Sequence, residues 1–158
     1  MKKVIIRKML ENDMPAVMNL LQKWNMAPIV PNDDVPDPER SSINVKNTFV
    51  ALDADRLIGV GSYLDISKEI AETASLAVDP ECKGMGIGFA LQHARLKEMV
   101  TRGFETVRTE TDRPETIEWY IRKFGYRVIG RNPKKHDFSL KDINYWTVLE
   151  LDLSSYHG

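Results

Sequence analysis

The chain has 158 residues, a net charge of −1, and 42% hydrophobic and 28% charged residues. This length and composition are typical of one globular domain, and we take residues 1–158 as a single domain. The near-neutral charge argues against nucleic acid as a partner, and no apolar run approaches the length of a membrane span, so no membrane partner is expected.

The cysteine and histidine content restricts the chemistry further. The single cysteine, Cys82, excludes an internal disulfide and is interpreted as a turn residue. With no signal-peptide pattern at the start, this predicts a cytoplasmic protein. The three histidines are far apart in the sequence, so no metal site is expected.

The N-terminal part predicts a strand followed by a helix. Lys3–Met9 is a short β-rich run. The helix follows an N-cap at Asn12 or Asp13, and its apolar residues recur at helical spacing: Val17, Leu20, Leu21 and Trp24. Trp24 is interpreted as a core residue, and a platform for a ligand is the alternative.

An irregular, acidic segment follows. Four prolines between Met26 and Asn44 exclude a long helix there. The segment also carries four acidic residues: Asp33, Asp34, Asp37 and Glu39. The charge run is interpreted as a solvated loop, and the alternative is an acidic lip that attracts a cationic amine.

The middle of the chain predicts three consecutive strands: Thr48–Leu52, Leu57–Leu64 and Ile70–Val78. Turn residues join the first two, which indicates a hairpin. Gly59 and Gly61 lie on one face of the second of these strands. They either allow the close approach of a neighbour or a ligand, or mark a twisted edge.

The second half of the chain alternates helices with strands. A long helix runs from the glycines near Gly84 to a C-cap at Gly103. Its two apolar stripes, one with Leu91 and the other with Phe89, Leu96 and Val100, predict that both faces are covered. A second helix opens at Pro114 and closes at Gly125. The strands of this half are Phe104–Thr111, Tyr126–Gly130 and Tyr145–Leu153. The last strand is apolar enough to pair with a second copy, which leaves a homodimer open.

Three glycines at alternate positions stand where the long helix begins: Gly84, Gly86 and Gly88. Bare backbone and unpaired N–H groups at a helix start favour a phosphate. The spacing fits neither a Walker loop nor a dinucleotide fingerprint. The pattern therefore predicts a phosphate-bearing ligand at this turn.

The stretch from Val78 to Gly88, VDPECKGMGIG, resembles the acetyl-CoA signature of the GNAT superfamily of N-acetyltransferases. In that signature Arg or Gln is followed by two residues, Gly, one residue, and Gly or Ala. Lys83, Gly86 and Gly88 occupy these positions. The element order resembles the GNAT fold as well. The resemblance implies an α+β fold with a mixed sheet of six to seven strands, antiparallel over strands 1–4. It also implies a splay between strands 4 and 5, and helices on both faces.

The resemblance implies an N-acetyltransferase whose partners are acetyl-CoA and a primary amine of a small molecule or protein. By analogy, the pantetheine arm lies in a wedge between Leu76–Val78 and Val107–Thr109, and a bulge is expected in the fourth strand. The cofactor-binding residues that it implies are Leu76, Ala77, Val78, Lys83, Gly84, Met85, Gly86, Ile87 and Gly88.

Transfer to an amine calls for a base, and Glu72 is the candidate. A lysine-like amine has a pKa of about 10.4, so its neutral form is about 4.6 kcal/mol uphill at neutral pH. The histone acetyltransferase branch carries its base glutamate at the same offset from the signature. Strand alternation predicts that Glu72 shares a face with Ala74, Leu76 and Val78. A solvated charge at the strand start is the alternative.

Tyr120 is the candidate acid for the leaving thiolate. The stretch from Glu118 to Tyr126 resembles the second motif of the family, with one extra residue before Gly125. That residue turns the helix by about 100°. Asp112 and Arg113 stand where the family carries an asparagine. The alternatives are a packed helix tyrosine and, for the whole protein, a module that holds acyl-CoA without turnover.

The segment between the last two strands borders the acceptor pocket in such folds. Its Lys134 and Lys135 favour an anionic group on the acceptor, in tension with the acidic lip. His136 is interpreted as a loop histidine. The acceptor amine therefore stays open.

Overall fold

The computed structural model describes residues 3–28, 43–135 and 139–156. Within these ranges it has seven strands: β1 (Val4–Lys8), β2 (Thr48–Asp53), β3 (Arg56–Asp65), β4 (Ile70–Val78), β5 (Thr106–Thr111), β6 (Arg127–Pro133) and β7 (Tyr145–Asp152). The same ranges hold three α-helices: α1 (Met14–Lys23), α2 (Ile87–Arg102) and α3 (Pro114–Phe124). The acidic residues of the proposed lip (Asp33, Asp34, Asp37 and Glu39) and His136 lie outside the described residues.

The strands form one mixed sheet in the order β1-β2-β3-β4-β5-β7-β6. Strands β1 to β4 pair antiparallel, β4 and β5 pair parallel, and β7 pairs antiparallel with both β5 and β6. Helix α1 packs on one face, and α2 and α3 pack on the other. This confirms the predicted α+β fold, with seven strands and helices on both faces.

Two predicted strands begin later than expected, because their first residues close the preceding helix. The Phe104 amide donates to the Met99 carbonyl of α2, at 3.1 Å. The Tyr126 amide likewise donates to the Tyr120 carbonyl of α3, at 3.3 Å. In both cases the left-handed glycine before it, Gly103 or Gly125, ends the helix.

Helix α2 lies close to the sheet because β3 offers two glycines beneath it. A Cβ atom on Gly59 would lie 2.9 Å from Leu91 Cδ1, closer than real Cβ contacts. At Gly61 it would lie 3.5 Å from the side chain of Arg95. The first of the two interpretations of these glycines, close approach of a neighbour, is therefore confirmed.

The two predicted apolar stripes of α2 are covered unequally, so the prediction of two covered faces is only partly correct. Leu91 and Leu96 are fully buried against the sheet, whereas Phe89 and Val100 are 45% and 44% exposed. The helix is an outer layer of the fold, so its far side faces outward.

Candidate functional site

A cleft opens where β4 and β5 separate. The two strands pair only as far as Thr73 and Thr109, and beyond them lies a cavity of about 700 Å³. On the β5 side it is lined by residues 109–113. The wedge was predicted beside Val107–Thr109, but Val107 and Thr109 are paired with β4. The opening therefore lies further along β5 than predicted.

A bulge in β4 stands at the start of this opening. The pairing advances two residues on β3, from Gly61 to Tyr63, while it spans three on β4, from Thr73 to Leu76. The expected bulge is therefore present, with Ala74 and Ser75 of β4 opposite the single residue Ser62 of β3.

The bulge reverses the alternation of side chains along β4. Ala71 and Leu76 both pack on the side of α2 although five positions separate them. Glu72 therefore lies on the opposite face from Leu76 and Val78, and the prediction that they share a face is wrong. Glu72 nevertheless lines the cavity.

The glycine turn stands at one end of the cleft. Gly84 and Gly86 have φ of +82° and +77°, in the left-handed region that suits glycine. Gly86 is the N-cap of α2 and contributes no side-chain cap. The Ala90 amide donates to the Gly86 carbonyl at 3.1 Å, closing the first turn of the helix. The preceding amides of the first turn are therefore the N–H groups that a helix start offers to an anion.

Most of the predicted cofactor-binding residues line the cavity: Leu76, Ala77, Val78, Lys83, Gly84, Gly86, Ile87 and Gly88. Met85 does not line the cavity, and its side chain is 55% exposed. The side chain of Ile87 is buried in the core. These positions are brought together at one end of the cleft, and Met85 points away from it.

Burial raises the pKa of the Glu72 carboxyl above its usual value. The negative charge of Glu110 raises this pKa further, and the positive charge of Arg108 opposes the change. Glu110 is itself held by Asn132, whose side-chain amide donates to it at 2.8 Å. A carboxylate with a raised pKa binds a proton more readily, as a general base must.

Tyr120 is buried and lines the cavity. Its hydroxyl oxygen lies 3.5 Å from a guanidinium nitrogen of Arg95. Its ring packs on Tyr126 with the ring centroids 4.9 Å apart. Helix α3 stays α-helical from Pro114 to Phe124, so the extra residue before Gly125 produces no bulge and still leaves Tyr120 at the cavity.

Trp24 belongs to the core and to the cleft at once. It packs against the cluster beneath α1 and also lines the cavity. Its indole N–H donates to the Val78 carbonyl at 2.9 Å. The side chains of Lys83 and Arg113 lie over its ring, 5.9 and 5.0 Å from the centroid. Trp24 is therefore a core residue, as interpreted, but part of its side chain also faces the cleft.

Lys134 is committed to an ion pair inside the protein. Its ammonium nitrogen lies 2.7 Å from an oxygen of Asp112, and both side chains are at most 5% exposed. Asp112 also accepts from the Ser139 hydroxyl at 2.9 Å and the Leu140 amide at 2.7 Å. The pair anchors the segment before β7 to the end of β5. Asp112 therefore balances the charge of Lys134, whereas Lys135, the other lysine expected to favour an anionic acceptor, lines the cavity.

Sequence reasoning missed Gln92 and Arg95, which are both fully buried on α2. A signal for them exists. They fall at i and i+3 in a run that continues through Leu96 and Met99, which are also fully buried. A polar residue within a helical stripe that faces the core is expected to be buried with partners.

Among the described residues, no group of three or more His, Cys, Asp or Glu side chains could hold a metal ion. In the same ranges, none of the helices has the length and apolar content to cross a membrane.

A mixed sheet that splits between its two parallel strands, with a glycine turn at the end of the split, defines a class of acetyltransferases. Residues 14–126 match the model of the acetyltransferase (GNAT) family. The chain belongs to this family, as its glycine signature predicted. A sequence search of curated proteins finds no match.

Solved structures resemble the chain over nearly its whole length. The ribosomal-protein-S18-alanine N-acetyltransferase from Escherichia coli has a TM-score of 0.74 and 18% identity, over 99% of this chain and 97% of that one. Rv2747 from Mycobacterium tuberculosis, in complex with CoA, has 0.69 and 19%, over 94% and 98%. Salmonella typhimurium yncA, with its cofactor acetyl-CoA, has 0.71 and 15%, over 98% and 96%. At these identities the likeness shows the fold.

Proposed function

We propose that the protein is an N-acetyltransferase that moves the acetyl group of acetyl-CoA to a primary amine of a small molecule or protein. One observation carries the proposal: a single cavity is lined by the glycine turn, the open part of β4, Glu72 and Tyr120. The reaction needs a site for the phosphates, a strand edge for the pantetheine arm, a base and an acid. A cytoplasmic location and the absence of a metal cofactor stay part of the proposal.

The cofactor seat is proposed at the glycine turn and β4. The first-turn amides of α2 and the left-handed glycines Gly84 and Gly86 offer donors and open backbone for the pyrophosphate. Beyond Thr73, β4 has no β5 partner, so its main chain can pair with an extended ligand as an added strand would. Two proteins of similar fold, Rv2747 and yncA, are described with CoA and acetyl-CoA.

The proposed chemistry is direct attack of the amine on the thioester. The ammonium first gives one proton to Glu72, directly or through a water, and Glu72 passes it to solvent. The neutral amine nitrogen then forms a bond to the acetyl carbon, and the second proton that it loses goes to Glu72. The C–S bond breaks with its electron pair on sulfur, and the Tyr120 hydroxyl supplies the proton that makes the CoA thiol. Solvent then takes the proton from Glu72 and returns one to Tyr120.

The charges on the acceptor side favour an amine that arrives as an ammonium ion. Glu72 and Glu110 are close enough for their charges to repel each other, which is one cause of the raised pKa of Glu72. A pair of carboxylates attracts a cation. Asp112 balances the Lys134 charge, which would oppose this attraction, whereas Lys135 also lines the cavity.

Calorimetric titration with acetyl-CoA and with CoA tests the cofactor seat. We expect micromolar binding by the native protein and its loss in Gly86→Val, because a β-branched residue is strained at a φ of +77°. Gly103→Val is the matched control. Gly103 also has a positive φ, of +90°, and open space around it, but it caps the far end of α2.

The results distinguish a glycine turn that binds the cofactor from one that has only a structural role. Binding that survives in Gly103→Val and disappears in Gly86→Val supports the proposal. Equal losses in both variants, or no binding by the native protein, would refute it. Release of CoA thiol with a panel of amines then identifies the acceptor.

A further inference from the structure

Arg95 is a charged side chain sealed inside the protein, directly behind the cleft. It lies on α2 with 0% of its surface exposed. Removing a charge from water is costly, and a buried arginine is usually balanced by a carboxylate. Among the described residues, no carboxylate forms an ion pair with Arg95. Its positive charge is therefore left without a negative partner there.

Neutral dipoles take the place of that partner. One terminal nitrogen donates to the Ser62 carbonyl at 2.9 Å and to the Ala74 carbonyl at 3.3 Å. The other donates to the Gln92 side-chain carbonyl and lies 3.5 Å from the Tyr120 hydroxyl oxygen. The third nitrogen, Nε, is buried with no partner. These contacts solvate the charge but do not neutralise it.

Two of these partners line the cavity, and both stand where the sheet opens. Ala74 belongs to the bulge of β4, next to the last residue that pairs with β5. Tyr120 reaches the same cavity from α3. Gly61 provides the space, since a Cβ there would lie 3.5 Å from Cδ and Nε of Arg95. The charge is thus fixed immediately behind the opening.

The contacts suit a role in the reaction. Because Arg95 donates to the oxygen of Tyr120, the hydroxyl hydrogen is left to donate into the cavity. Because it also donates to the Ala74 carbonyl, it polarises the peptide that carries the Ser75 amide in the bulge. A fixed charge in a dry interior acts strongly on charge that develops nearby.

We propose that Arg95 is a positioning residue of acetyl transfer, whose unbalanced positive charge stabilises the developing thiolate of CoA through Tyr120 and the β4 bulge. This inference rests on the proposed function. It adds a residue outside the glycine signature and the second motif. It also gives a reason for a buried charge that carries a large desolvation cost.

Titratable groups near Arg95, other than the CoA thiol, also affect how ligand binding depends on pH. The Tyr120 and Tyr126 hydroxyls are its titratable neighbours on α3 and just after it. Burial raises the pKa of Tyr126 well above its ordinary value, and the nearby Arg95 charge only partly opposes this. Glu72 lies on the other face of β4. Acetyl-CoA has no free thiol, so its affinity serves as the reference that cancels these groups.

The test is the pH dependence of CoA binding relative to acetyl-CoA, measured by calorimetry between pH 6.5 and 9.5. A free thiol has a pKa of about 8.5. If the site lowers the pKa of the bound CoA thiol, the affinity for CoA rises as pH passes through the range between the two values, by about tenfold for each unit of lowering. In the native protein, we expect the affinity for CoA divided by that for acetyl-CoA to rise about fivefold or more between pH 6.5 and 9.5. In Arg95→Met the rise should fall below about twofold, and Arg95→Lys should recover part of it.

Arg102→Met is the matched control. Arg102 lies on the same helix and is bonded to Tyr63 and Asp65, away from the cavity, so the native ratio should persist. Should Arg95→Met fail to fold, Tyr120→Phe removes the mediating hydroxyl and should also flatten the rise. A native protein that binds CoA with a flat ratio overturns this inference and leaves the proposed function intact. A native protein that binds neither ligand overturns the proposed function itself.

Discussion

Glu72 on β4 stands directly across from Arg108 on β5 in the parallel register, yet Arg108 gives its hydrogen bond to Glu150, at 3.0 Å. Glu150 also accepts from Arg127, at 3.1 Å. The proposed base therefore has a positive neighbour without being bound to it. A carboxylate held in an ion pair is a weak base, because the cation stabilises its ionised form. Glu72 is not held in such an ion pair with Arg108.

The first prediction concerns the loss of this carboxylate. Glu72→Gln should lower kcat about 100-fold or more at neutral pH, the usual contribution of a positioned base. Activity should recover in part as pH rises, because the amine then loses its proton to solvent. The measurement is CoA release over a pH series. An unchanged rate at every pH would remove Glu72 from the mechanism, and a protein that only binds acyl-CoA would show no turnover in either form.

The second prediction concerns the two charged neighbours of Glu72, whose removal should shift its pKa in opposite directions. Glu110 raises the pKa of Glu72 and Arg108 lowers it. Glu110→Gln should therefore shift the acidic limb of the pH–rate profile to lower pH, and Arg108→Gln should shift it to higher pH. Shifts in the same direction, or none, would show that the limb belongs to another group.

The elements and the glycine turn were predictable because their signals are local. Val17, Leu20 and Leu21 mark the buried face of α1 by spacing alone, and Gly86 marks the start of α2 because its left-handed φ favours glycine. The family signature in turn implied the sheet. Such features depend on residues close together in the chain.

The details of the cleft depend on distant residues. The bulge in β4 exists because Thr73 and Leu76 pair with Tyr63 and Gly61 of another strand, so the alternation within β4 alone gave the wrong face for Glu72. The extent of the wedge is likewise set by where β5 stops pairing. Neither register can be read from the spacing of residues in β4.

The third prediction concerns the turn that leads to the glycines. Asp79 accepts from the Glu81 amide at 3.0 Å, from Lys23 at 3.4 Å and from Arg56 at 2.9 Å. The Glu81 amide and, to a lesser extent, the positive charges of Lys23 and Arg56 lower the pKa of Asp79 against the effect of burial. Asp79→Asn should reduce the free energy of unfolding by about 1–3 kcal/mol at neutral pH.

The pH dependence gives this third prediction its sign. A carboxyl with a lowered pKa in the folded state stabilises the fold above its unfolded pKa of about 3.9, and this contribution is lost as pH falls through the folded value. The difference between native protein and Asp79→Asn in urea unfolding should therefore be largest near pH 7 and shrink below pH 4. A difference that stays constant with pH would mean that the carboxylate charge is not the cause.

The fourth prediction concerns the buried pair of Asp112 and Lys134. Removing one partner leaves the other charge buried and unpaired, so Lys134→Met should cost about 3–5 kcal/mol of stability. The double variant Lys134→Met with Asp112→Leu should recover much of this loss, because both charges are then absent. Urea unfolding of the two single variants and the double variant measures the coupling energy. Additive losses would contradict the pairing, whereas strong coupling would show that this ion pair holds the segment before β7 against the end of β5 beside the cleft.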